Sequence, residues 1–287
     1  MVRIDTKANY KGVFFNGKTI RQRINPTLPI LAPEFAEIED VAINSKCFAN
    51  CSYCYTSATK SGSNFENIIE KADDIWGSVD QNSRPFQIAI GGAGESTIHP
   101  DWSSFVKKVR ELGIVPNYTT NGMHLSKKIL KATSDYCGGV AVSYHPHIPN
   151  VFSDSIEKLH PLRNSGVKLN CHLIVGDNKS LEDAKEIFSI HKDKIDFFVI
   201  LPYQAAGRGS FVDTDMTWKN LFIWIHSLSE NERSKFAFGA LFYEWMLRNE
   251  IPLKIEIYEP EIYSGYRIFD SSYKTLRKSS YNLEPKK

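Results

Sequence analysis

Beyond Glu37, short apolar runs alternate with stretches whose apolar residues recur at helical spacing. The runs at 39–44, 86–90, 114–120, 140–144, 168–175 and 196–201 predict six strands. Between the first two, Phe65, Ile68, Ile69, Ala72, Ile75 and Trp76 share a helical face, and Ser63-x-x-Glu66 before them has the form of a capping box. Trp102, Phe105, Val106, Val109 and Leu112 repeat the pattern and stop at Gly113. Further helices are expected near 126–132, over 153–164, and after the fifth strand, where Ser180-x-x-Asp183 reads as a cap. Six strand-then-helix units argue for a parallel sheet with right-handed crossovers. Six is short of the eight that close a barrel, so the expected fold is α/β, a partial (βα)6 TIM-like barrel with its site at the carboxyl edge.

The flanks follow other rules. Asn16-Gly17 within residues 10–24 predicts a β-hairpin with a type I′ turn, and Pro26, Pro29 and Pro33 mark an extended connection. After Gly209 the alternation ends. Residues 218–228 look helical, 236–247 are apolar and aromatic, and 253–258 could form a strand. The expected organisation is an N-terminal hairpin and extended segment (1–36), a core (37–209) and a C-terminal extension (210–287) packed across the open side or mouth of the barrel. The aromatic stretch 258–270 reads more readily as core than as part of a site.

Composition changes this picture little. The chain has 287 residues, 42% hydrophobic and 24% charged, which suits a water-soluble protein large enough for one extensive core. No apolar run approaches the roughly 18 residues of a membrane helix, and the start Met1-Val2-Arg3-Ile4-Asp5 is polar, so no membrane association and a cytoplasmic location are expected. A net charge of +2 neither demands nor opposes nucleic acid. Lys274, Arg277, Lys278, Lys286 and Lys287 read as a solvated tail.

The five cysteines matter more. Three stand in Cys47-Phe48-Ala49-Asn50-Cys51-Ser52-Tyr53-Cys54. Three thiolates on a short loop can hold three irons of a cubane cluster and leave the fourth open to a small chelating molecule. A structural zinc site would want a fourth ligand, and no histidine lies near the loop in sequence. This C-x-x-x-C-x-aromatic-C motif after a first strand resembles the signature of the radical S-adenosylmethionine superfamily. The likeness continues in order through Gly91-Gly92-Ala93-Gly94-Glu95, where Ser96 replaces the more usual proline, Thr119-Thr120-Asn121-Gly122, Lys168-Leu169-Asn170 and Val175-Gly176-Asp177-Asn178. It spans roughly Glu37 to Arg208.

The resemblance implies one [4Fe–4S] cluster on Cys47, Cys51 and Cys54, with S-adenosylmethionine chelating the open iron. It further implies that Gly91, Gly92 and Gly94 admit the methionine moiety closely, with Glu95 adding charge or bracing the loop. Tyr53 would pack near the adenine and Ser143 would bond the ligand. Lys168 would pair with the methionine carboxylate and Asn170 with a ribose hydroxyl, the two sharing strand parity with His172. An electron donor such as flavodoxin or ferredoxin is implied.

Other residues are weaker candidates. Tyr203, Gln204 and Arg208 follow the sixth strand, where Arg208 could bind a carboxylate or phosphate or serve a turn. His145 and His147 line the loop after the fourth. Cys171 and Cys137 read as core thiols and leave no set for a second cluster. A small-molecule or nucleotide substrate is favoured. Nucleic-acid or peptide substrates stay open, including an epimerase that would use Cys171 or Cys137 as hydrogen donor. A non-catalytic metal-binding module is the alternative from another class.

Overall fold

The computed structural model describes residues 1–210, 214–249 and 263–277. Asn16 and Gly17 both take positive φ, 49° and 77°, as a type I′ turn requires. They join β2 (Tyr10–Phe15) to β3 (Lys18–Arg23), and β1 (Val2–Asp5) completes a small antiparallel sheet on the other side of β2. This sheet seals the amino end of the main one. Arg3, 1% exposed, donates to the carbonyls of Arg84 (3.0 Å) and Gly113 (2.9 Å). Arg21 grips Glu37 through two bonds of 2.6 Å, Tyr10 adds a third, and Phe14 stacks on Phe86.

The six predicted strands are present, each within two residues of its expected bounds: β4 (Ile38–Ala42), β5 (Gln87–Ile90), β6 (Val115–Thr120), β7 (Gly139–Ser143), β8 (Lys168–Val175) and β9 (Phe197–Pro202). All pair in parallel and in sequence order. Among the described residues the sheet nevertheless has eight strands. β10 (Phe236–Phe238) adds in parallel to β9, and β11 (Ser264–Ile268) adds in parallel to β4. β10 and β11 do not pair, so the sheet curls into a half-barrel that stays open. The extension, expected to lie across the opening, lengthens both edges in its described parts. The expected strand at 253–258 lies outside the described residues, as do Lys278, Lys286 and Lys287. Lys274 and Arg277 are not merely a solvated tail. Lys274 pairs with Asp74 at 2.9 Å, and the Arg277 backbone exchanges two bonds of 2.8 Å with Tyr266.

Helices α1 (Ile68–Ala72), α2 (Trp102–Glu111), α3 (Lys127–Tyr136), α4 (Pro149–Leu159) and α5 (Asn178–His191) cover the outer face, and α6 (Asp215–Ser227), α7 (Glu230–Arg233) and α8 (Ala240–Arg248) follow. Two caps differ from expectation. Ser63 is held extended by Ser45 (Ser45 N to Ser63 O, 2.9 Å), so α1 starts later, after a left-handed Asn67 without a side-chain cap. The cap of α5 is Asp177, and Ser180 is its reciprocal partner three residues on. α4 begins at Pro149, four residues earlier than its spacing suggests, because proline fits the first helical turn.

Strand alternation separates two unlike faces. Val41, Ile88, Ile90, Tyr118, Val140, Val142, Leu169, Leu173, Phe198 and Ile200 point outward and pack under the helices, each no more than 2% exposed. The opposite parity places Asp40, Gln87, Asn117, Thr119, Ser143, Asn170 and His172 on the concave face, where none is fully buried. The interior is therefore a polar trough and not the packed core of a closed barrel.

Candidate active site at the carboxyl edge

The loop from Cys47 to Cys54 leaves β4 at the carboxyl edge, and four neighbouring loops hold it. From the loop after β5, Glu95 N donates to Lys46 O at 2.8 Å, and Asn44 Nδ2 donates to Glu95 O at 2.7 Å. Here Gly94 is required: a Cβ would stand 2.5 Å from Lys46 O. From the loop after β6, Asn121 Nδ2 lies 3.6 Å from Cys47 Sγ. The loop after β7 supplies His145, whose Nδ1 is 2.9 Å from the Tyr53 hydroxyl and 3.5 Å from Cys51 Sγ, and His147, bonded to Ala49 O at 2.8 Å. After β9, Arg208 donates to Cys51 O and Ala58 O, each at 2.9 Å, and its own N–H bonds to Cys54 O. The sequence left Arg208 between an anion ligand and a turn residue. The structure makes it a clamp on the thiol loop.

Glu95 is 4% exposed and ties three segments together. Its Oε1 accepts from the hydroxyls of Thr97 (2.6 Å) and Thr120 (2.9 Å), and its Oε2 accepts from Asn121 N (2.7 Å). Of the two roles considered, charge or bracing, these bonds provide the bracing. Gly92 takes φ +82° beside the Tyr266 ring, and the Tyr55 hydroxyl donates to its carbonyl at 3.1 Å. Gly91 stands over Thr119 with ordinary contact.

Burial pushes the Cys47 thiol up, and pushes Cys51 to about 11 with the neighbouring thiols adding to the effect. The three thiols thus feel one another. Yet among the described residues no three His, Cys, Asp or Glu side chains come close enough to hold a single ion. A cubane binds its cysteines at separate iron corners and suits such wider spacing. Thiols held protonated by burial ionise when a cation arrives to share the charge.

The remaining candidates fall into two groups. Tyr53 lines a cleft with Tyr144, Pro146, Leu173, Ile174 and Tyr203. In the trough, Ser143 pairs in register with His172, and the buried Asn170 Oδ1 has no partner among the described residues. Burial lowers His172 to about 4. Lys168 is different. It opens β8 at the amino end, in a cleft with His160, Arg163 and Asp196, so the carboxylate-binding role expected of it has no support from geometry. Cys171 and Cys137 lie in the outer core, with thiols pushed up by burial, and neither faces the trough as the epimerase alternative would need.

Two trough residues escaped the sequence reading. Asp40 sits in the middle of β4, and its side chain has no hydrogen bond or ion pair among the described residues. Water reaches it, but the surrounding walls raise its carboxyl to about 6. Tyr266, its register partner on β11, lies against Gly92, and burial raises its phenol to about 12. Asp40 had a visible signal, a second acid inside an apolar run. Tyr266 had none.

Fold and site define an open parallel α/β half-barrel that carries a three-thiol loop at its carboxyl edge. No family model matches the chain, and no curated protein matches it by sequence. Solved structures do. Streptococcus suis SuiB bound to S-adenosylmethionine matches with a TM-score of 0.67 at 13% identity, over 86% of this chain and 61% of that one. SuiB bound to precursor peptide SuiA gives 0.65 at 16% identity, over 89% and 63%. The protein anSMEcpe with bound AdoMet and Cp18Cys peptide gives 0.58 at 12%, over 86% and 75%. The chain spans about three fifths of SuiB. The partial-barrel fold is shared with these proteins.

Proposed function

We propose that the protein is a radical S-adenosylmethionine enzyme, with a [4Fe–4S] cluster on Cys47, Cys51 and Cys54 and its substrate in the polar trough. The observation that carries this reading is the clamped thiol loop, locked by four loops at the carboxyl edge of a fold shared with structures solved with S-adenosylmethionine. A cluster held by Cys47, Cys51 and Cys54 would supply one-electron reduction of the sulfonium, with the electron drawn from an external donor and methionine as the leaving group, so that hydrogen-atom abstraction from substrate could follow.

The chain's residues do the rest. Gly91 and Gly92 would let the methionine end pass close to the backbone, while the Gly92 and Ala93 carbonyls are held by the Tyr55 and Thr56 hydroxyls. Tyr53 and its aromatic cleft flank the adenosine. Ser143 and the unpartnered Asn170 Oδ1 offer bonds to hydroxyls, since a buried acceptor without a donor is costly.

A small molecule or nucleotide suits the polar trough. Peptide modification is the second reading, because SuiB and anSMEcpe were each solved with a peptide bound. The test is anaerobic reconstitution with iron and sulfide, reduction with dithionite in the presence of S-adenosylmethionine, and chromatography for 5′-deoxyadenosine. Cluster-dependent formation supports the proposal. A fully loaded, reduced protein that never cleaves S-adenosylmethionine, with or without small-molecule and peptide panels, contradicts it.

A further inference from the structure

We infer that Asn121 and the Tyr53–His145 pair donate hydrogen bonds to the thiolates of Cys47 and Cys51 and set how readily a cluster held there accepts an electron; this rests on the cluster reading above. Asn121 is fixed at three atoms. Its N–H is bonded to Glu95 Oε2 at 2.7 Å, and its Oδ1 accepts from Met123 N at 2.9 Å. That second bond settles which way the amide points, so the group 3.6 Å from Cys47 Sγ is an NH2, a donor with no lone pair to offer.

At Cys51, Sγ lies 3.5 Å from His145 Nδ1, and that nitrogen is 2.9 Å from the Tyr53 hydroxyl. A thiolate has no proton to give. The imidazole N–H and the phenol O–H are the donors beside that sulfur, and with the proton on Nδ1 the ring is the one that gives its hydrogen bond to Cys51 Sγ. Cys54 is unlike the other two. Its sulfur is 3.3 Å from Thr56 Oγ1, but that hydroxyl already gives its proton to Ala93 O at 2.8 Å. Among the described residues, side-chain donors therefore reach two corners and not the third.

Donors aimed at cluster sulfurs stabilise the reduced state, which carries one more negative charge, and so raise the potential. Asn121 and His145 come from the loops after β6 and β7, outside the thiol loop itself. They are positioning residues, acting through the cysteines.

The test compares wild type with Asn121→Leu, Asn121→Asp, His145→Phe and Thr56→Val, each reconstituted anaerobically. Iron and sulfide content is measured first, then the reduced fraction by electron paramagnetic resonance across a redox titration. Asn121→Leu removes the donor without adding charge, whereas Asn121→Asp keeps the acceptor for Met123 N and replaces the donor with a carboxylate, whose negative charge lowers the potential further. The expected result is normal cluster content in the Asn121 and His145 variants, with the reduced-to-oxidised ratio at fixed poise lowered about tenfold, equivalent to ~59 mV for one electron. Thr56→Val should titrate with the wild type. Unchanged titrations in the Asn121 and His145 variants overturn the inference, and so does an equal shift in Thr56→Val. Loss of iron from both Asn121 variants also overturns it, by making Asn121 a brace. A wild type that binds no cluster defeats the underlying function instead.

Discussion

The two faces of the eight-stranded sheet are built from the same strands and behave as opposites. On the convex side, Val41, Ile90, Val142, Leu173 and Phe198 are all but inaccessible beneath the helices. One residue along, on the opposite parity, Asp40, Thr119, Ser143, Asn170 and His172 face the polar trough. The convex face holds the fold together through buried apolar area. The concave face buries less apolar area and adds less to stability, and its buried Asn170 Oδ1, without a partner among the described residues, is costly. The lesson is that stability and chemistry occupy alternate residues, so substitutions one position apart should have unlike effects.

The largest effect is expected on the convex side. Phe198→Ala removes a fully buried ring packed against Phe188 and Phe236, and should cost about 3–5 kcal/mol in chemical denaturation. Glu95, at the rim joining the two faces, comes next. Glu95→Gln turns one acceptor oxygen into a donor facing hydroxyl or amide hydrogens, for a loss of about 1–3 kcal/mol.

In the trough the sign reverses. The raised Asp40 carboxyl makes the folded chain bind more protons than the unfolded chain between about pH 4 and 6, so this residue's contribution to stability falls as pH rises through that window. Asp40→Asn should therefore be more stable than wild type at pH 7, with the gain vanishing near pH 4. His172, lowered to about 4, has the opposite slope: its contribution is lost as pH falls from 6.5 toward 4, so His172→Gln should flatten the acid limb. The smallest stability change is expected at Asn170→Ala, within about 0.5 kcal/mol. Calorimetric titration of the loaded protein should nevertheless show weaker S-adenosylmethionine binding. Equal destabilisation by Asn170→Ala and Phe198→Ala would erase the distinction between the faces.

Much of this was legible in the sequence. The six central strands were, because each is an apolar run bounded by turn residues. The thiol loop was, because three cysteines in eight residues leave few alternatives. The edge strands were not. β10 is three residues long, and β11 buries Arg267, whose partner Glu39 lies 228 residues away at 2.8 Å, a pairing that no local period reveals. The clamps stayed ambiguous for a related reason. His147 and Arg208 bond backbone carbonyls, and every residue carries a carbonyl, so no motif announces the acceptor. Lys168 shows the limit of parity: alternation gave the face it points to, but not how far down the strand the trough's chemistry extends.

The most direct test of the central claim is iron and sulfide content after anaerobic reconstitution, measured for wild type and for Cys47→Ala, Cys51→Ala and Cys54→Ala, with paramagnetic resonance before and after S-adenosylmethionine. The account predicts about four irons and four sulfides per wild-type chain, a spectrum altered by S-adenosylmethionine, and neither in any of the three variants. A chain that takes up zinc alone, or a cysteine variant that keeps a full cluster, would contradict it.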